Sequence, residues 1–108
     1  MATTLTQPTI PGFAGEVGQF ADEQGITDIA FAIHQVAWRL FPMAAQIRLE
    51  LHEDPEDSEW RYLEFVIDGL PISPTEACQI DQDWIAEVTP VCPAEQAWLF
   101  SHDLRFAE

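Results

Sequence analysis

Residues 47–67 decide the fold: Ile47-Arg48-Leu49-Glu50-Leu51-His52-Glu53, then Asp54-Pro55-Glu56-Asp57-Ser58-Glu59, then Trp60-Arg61-Tyr62-Leu63-Glu64-Phe65-Val66-Ile67. The first run alternates apolar and polar residues strictly, the pattern of a strand with one wet face. The third run alternates as well, with Leu63, Phe65 and Ile67 turned inward and Trp60, Tyr62, Glu64 and Val66 turned outward. Between them lies a stretch with turn composition. The reading is a β-hairpin over 46–67 with a connection longer than two residues. Its outer face carries Arg48, Glu50 and His52 beside Trp60, Tyr62 and Glu64, where Arg48 can pair with Glu64 across the strands.

Upstream, Ile26, Ile29, Ala30, Ile33, Val36, Ala37, Leu40 and Phe41 recur at three-and-four spacing, which predicts a helix over 26–41. Pro42 stops it, since the residue before a proline leaves the helical region. Phe31 and Trp38 form a second apolar stripe and are candidates for a dimer interface. Downstream, Ser73-Pro74-Thr75-Glu76 combines an N-cap, a first-turn proline and a capping-box glutamate, predicting a helix over 74–88 that stops before Pro90. Residues 93–106 read as helix or strand. Residues 1–25 read as an N-terminal arm, extended at Thr9-Ile10-Pro11-Gly12-Phe13, with a short helix within Glu16–Glu23.

Together these elements give a single α+β domain over 26–108, with helices on one face of a small antiparallel sheet. A two-stranded sheet is marginal alone, so the arm, the tail or a second copy is expected to add a strand. At 108 residues, a chain buries roughly two thirds of its extended surface. With 47% hydrophobic residues, it has the material for a core.

Charge excludes several functions. The chain holds 19 Asp plus Glu against 4 Lys plus Arg, a net charge of −15. Direct nucleic-acid binding needs cations to displace counterions, and an anionic membrane repels this surface. Met1–Gln7 holds no cation and no apolar leader core follows it. Cys78 and Cys92 lie fourteen apart, outside any CxxC or zinc spacing, and read as free thiols of a cytoplasmic protein.

No motif assigns an activity, so the reading leans away from an enzyme without deciding it, and no cofactor is implied. Glu50–Glu64 holds seven acidic residues in fifteen. Asp54, Glu56, Asp57 and Glu59 offer oxygen ligands on one turn, but without the spacing and glycine of an EF-hand loop. His34, His52 and His102 have no pairwise ligand spacing and read as surface or rim residues. Acidic neighbours oppose a thiolate at Cys78.

Large aromatics enrich binding hot spots. The leading expectation is therefore a small acidic interaction protein that binds a basic partner protein, as a nucleic-acid mimic in one special case. Its surface comprises Glu50, His52, Asp54, Glu56, Asp57, Glu59, Trp60, Tyr62 and Glu64. Homodimerisation is a side expectation that must pair carboxylates with Arg39, Arg48 and Arg61. The alternative is a small ligand-binding or catalytic domain, metal-assisted, with its pocket between the 26–41 helix and the hairpin.

Overall fold

A computed structural model describes residues 10–108. Helix α1 (Glu16–Gln24) leads into α2 (Thr27–Leu40), followed by the hairpin strands β1 (Gln46–Asp54) and β2 (Asp57–Leu70). Two short helices come next, α3 (Pro74–Asp81) and α4 (Trp84–Val88), then a 3₁₀ helix over Ala94–Leu99 and strand β3 (Phe100–Phe106). The sheet order is β1-β2-β3. The molecule is thus a small α+β domain with helices against a three-stranded sheet. No helix among the described residues is long and apolar enough to cross a membrane.

The α1–α2 corner is a left-handed glycine turn. Gly25 sits at φ 67°, where a side chain would be strained. Its N–H reaches the Asp22 carbonyl while the Ile26 N–H reaches Ala21 at 2.9 Å, closing α1 in a Schellman motif. The α2 helix then buries Ala30, Ile33, Val36 and Ala37, the stripe its spacing predicts. Phe31 turns to Phe13 of the N-terminal segment, ring centroids 5.1 Å apart. Trp38 is half-buried against the core and meets His34 edge-on.

His34 corrects the expected surface histidine. It is 5% exposed and hydrogen-bonded through Nε2 to the Ile47 carbonyl at 3.0 Å. The ring thereby ties α2 to the first inward residue of β1. Burial pushes its pKa below the ordinary histidine value, a push only partly countered by the Ile47 contact.

The strands β1 and β2 pair antiparallel, Ile47 with Ile67, Leu49 with Phe65 and Leu51 with Leu63. All six residues alternate onto the helix-facing side. The hairpin is longer than its predicted 46–67, since β2 runs on to Leu70. Its connection is also tighter than expected, with only Pro55 and Glu56 between the strands. The Asp54 carboxylate explains this: Oδ1 accepts from the Glu56 N–H at 2.8 Å and the Asp57 N–H at 3.2 Å. Arg48 lies opposite Val66, and Glu64 lies opposite Glu50, so the expected Arg48–Glu64 pair is replaced by Arg48 with Asp68 and Glu50.

The helix over 74–88 divides in two. Ser73 caps α3 with the full capping box, but the helix has no basic residue in its last turn, where Asp81 lies. Carboxylates at a helix C-terminus oppose the macrodipole, and Asp is a weak helix former. Hydrogen bonding tightens at this point, Asp83 N–H to the Ile80 carbonyl at 3.0 Å. Asp83 then occupies the N-cap position of α4. The tail contains both readings in succession, a 3₁₀ helix and then a strand. The expected hairpin is antiparallel and the tail supplies the third strand, but β3 runs parallel to β2, so the sheet is mixed. Residues 71–99 provide the long crossover that a parallel neighbour needs.

Candidate functional site

One face of the sheet is covered by helices, and the other presents Arg48, Glu50 and His52 from β1, Trp60, Tyr62, Glu64 and Val66 from β2, and Ser101, Asp103 and Arg105 from β3. Register brings Glu50 opposite Glu64 and His52 opposite Tyr62, while Glu64 pairs with Ser101 on the other side. Two carboxylates facing each other across a ladder repel, so the site needs compensating groups. It has them. His52 Nε2 lies 3.0 Å from Glu50 Oε1 and 3.3 Å from Glu64 Oε1.

The outer oxygens of both glutamates are also held. Arg48 Nε donates to Glu50 Oε2 at 3.0 Å, and Ser101 Oγ donates to Glu64 Oε2 at 3.2 Å. Each carboxylate is thus fixed by one oxygen and directs the other at the same imidazole nitrogen. Burial works to raise the Glu50 pKa, but the hydrogen bonds from Arg48 and His52 outweigh it and hold the carboxyl below its ordinary value. The His52 ring is itself seated by Tyr62, stacked at 5.7 Å, and Tyr62 in turn meets Trp60 at 5.9 Å.

The three ligand atoms of Glu50, His52 and Glu64 lie within 4.8 Å of one another, and all three residues are half-buried. One imidazole nitrogen and two carboxylate oxygens suit zinc and its transition-metal neighbours. Ligand bonds near 2.0–2.1 Å in a tetrahedron separate ligand atoms by about 3.4 Å. The two His52–glutamate distances fall close to that edge already. Arg48 and Ser101 stand where outer-shell groups orient first-shell ligands.

The other candidates from the sequence fall elsewhere. Asp54 and Asp57 cap the hairpin tip, Asp57 Oδ1 accepting from the Glu59 N–H at 3.1 Å. With Glu56 and Glu59 they lie outside the convergent set. Trp60 is 39% exposed at the edge of the open face. His102 faces the helix side, 2.7 Å from Asp81 and stacked on Trp84. Cys78 is exposed and Cys92 buried, both free thiols. An apolar cavity of about 400 Å³ opens between α2, α4, the 3₁₀ helix and β3. No family model, curated protein or solved structure matches the chain.

Strand alternation alone places Glu50, His52 and Glu64 on one face. The local signal for the site is the i, i+2 pair Glu50–His52 facing an acidic residue on the opposite strand. Ser101 was out of reach, because nothing local marks β3 as the neighbour of β2.

Proposed function

We propose that the protein is a small ligand-binding domain whose ligand is a divalent transition-metal ion, held by Glu50, His52 and Glu64 on the open face of the sheet. The observation that carries this reading is the convergence of three ligand atoms within 4.8 Å. The orientation of both carboxylates by Arg48 and Ser101 supports it. Three protein ligands leave a coordination position for water or for an atom of a further ligand. In the metal-free protein, the His52 N–H bridges the glutamates. A metal at this site would take the place of the contacts that His52 Nε2 now makes with both glutamates.

Calorimetric titration of the chelator-treated protein with zinc tests the reading. The expected result is one saturable site per chain. His52→Ala and Glu64→Gln each abolish saturable binding, and cobalt substitution gives a tetrahedral visible spectrum. Binding that survives both substitutions, or several weak sites that follow the net charge, overturns the assignment.

A second reading is favoured by one observation, the exposure of Trp60 beside Tyr62 above the acidic hairpin tip. There the face docks a basic protein through steered, salt-sensitive association. A partner captured at about 0.1 M salt and released by Trp60→Ala supports it. Capture that is indifferent to Trp60 sinks it.

A further inference from the structure

The division of α3 from α4 has a second effect on the helix side of the sheet. It lays Trp84 flat on His102, ring centroids 3.9 Å apart and 15° from parallel. Asp81, the last residue of α3, fixes the same imidazole through Nε2 at 2.7 Å. This stacked pair forms one wall of the cavity of about 400 Å³, with Ile33, Val88, Cys92 and Phe100 among its other lining residues. Ile33, Trp84 and Cys92 are buried core residues, so the cavity reaches core depth. Its volume falls in the range of small-molecule sites. A flat protein-docking surface would be shallower.

We propose that this cavity binds a small uncharged aromatic molecule carrying one hydrogen-bond donor, stacked or edged against the Trp84–His102 wall with its donor on His102 Nδ1.

The chemistry of the lining selects that class. Among the described residues, no Asp, Glu, Lys or Arg lines the cavity, so an ionic ligand would lose its hydration without gaining a partner. A carboxylate is opposed further by Asp81 beside the wall and by the net charge of −15. Most of the polar lining atoms are already engaged. Thr89 Oγ1 donates to the Ile85 carbonyl and Cys92 Sγ to the Pro93 carbonyl, while the Ser101 hydroxyl lies on the open face with Glu64. The thiol stays protonated, because burial raises its pKa. His102 differs from the others. Asp81 holds the imidazole through Nε2, which leaves Nδ1 as the ring nitrogen that a ligand would meet. An apolar chamber with a ring nitrogen in its wall fits an aromatic with one donor. The mouth carries Ile85, 72% exposed, which such a ligand would cover.

The test is a titration with 2-naphthol and, in parallel, naphthalene-2-carboxylate, followed by amide chemical shifts of the full chain. Expected are saturable one-site shifts centred on Trp84, Val88 and Phe100, with the carboxylate weaker by about tenfold or more. Ala97→Trp, an exposed position at the mouth, removes the binding. If that variant misfolds, Ile85→Trp makes the same test. His52→Ala leaves the binding unchanged, which separates this site from the metal site. The proposal is overturned if no saturable shift arises up to the solubility limit, if the carboxylate binds equally well, or if the mouth variants bind normally. It is likewise overturned if particle mass doubles with concentration and Ala97→Trp prevents the doubling, since a second copy would then occupy the cavity.

Discussion

His34 is the buried polar side chain of the described core, and its hydrogen bond to the Ile47 carbonyl joins α2 to β1. Burial lowers its pKa, so the folded state takes up its proton at lower pH than the unfolded chain does. As pH falls through the ordinary histidine value, about 6.5, the unfolded chain binds the proton first and stability declines. Above that value this residue adds no pH dependence. His34→Leu is expected to flatten the contribution below about pH 6.5 in denaturant titrations. It leaves the Ile47 carbonyl without its donor, which costs about 1–3 kcal/mol. Ser101 gives a second test at this scale. Its hydroxyl holds Glu64 Oε2, and losing an outer-shell contact typically weakens metal affinity by about 10–100-fold. Ser101→Ala should weaken zinc binding by that order while leaving the melting temperature nearly unchanged. An unchanged affinity would show that Glu64 is oriented without it.

Elements differ in how far local chemistry determines them. The α2 helix was legible because its stripe, its stop at Pro42 and its length agree. The start of α3 was legible because a capping box is a local device. Ser73→Ala removes the bond to the Glu76 N–H and should cost about 0.5–2 kcal/mol, read as a lower denaturation midpoint with an unchanged slope. The break at Gln82–Asp83 was not legible from apolar spacing, since Ala77 and Trp84 share a face whether or not the helix is interrupted. Charge at its C-terminus was the overlooked signal. The direction of β3 was illegible for a different reason: alternation identifies a strand but carries no information about its neighbour. For the same reason the candidate site was only partly readable. Glu50 and His52 follow from the period of one strand, whereas Glu64 opposite Glu50 depends on the register set at Asp54. Ser101 depends on the crossover. Asp54→Ala should therefore disturb the proposed metal site from a distance, because it releases the Glu56 and Asp57 amides that fix the turn. Zinc affinity should fall without the loss of any ligand.

At the scale of the whole molecule, the four arginines are all engaged within the chain. Arg39 pairs with Glu87, Arg48 with Glu50 and Asp68, and Arg105 with Asp103, while Arg61 lies 5.2 Å from the Phe20 ring centroid. A dimer interface that must neutralise carboxylates would draw on Arg39, Arg48 and Arg61, and the fold already uses each of them. The excess of negative charge therefore remains a surface property with no internal cation to meet it. Exposed ion pairs contribute little and weaken with salt. Repulsion among many like charges opposes the compact state over longer distances. With 19 acidic residues against 4 basic ones, the second effect outweighs the first. Screening becomes effective once the Debye length shrinks to about 10 Å, near 0.1 M salt. Thermal stability should rise between about 0.01 and 0.2 M sodium chloride, the opposite of a fold held by surface salt bridges. Zinc separates from this general effect by concentration, since a specific site stabilises at micromolar metal in constant high salt and His52→Ala removes the gain. If the melting temperature falls with added salt, the ion pairs of Arg39, Arg48 and Arg105 are stronger than their exposure implies, and self-repulsion is not what limits this fold.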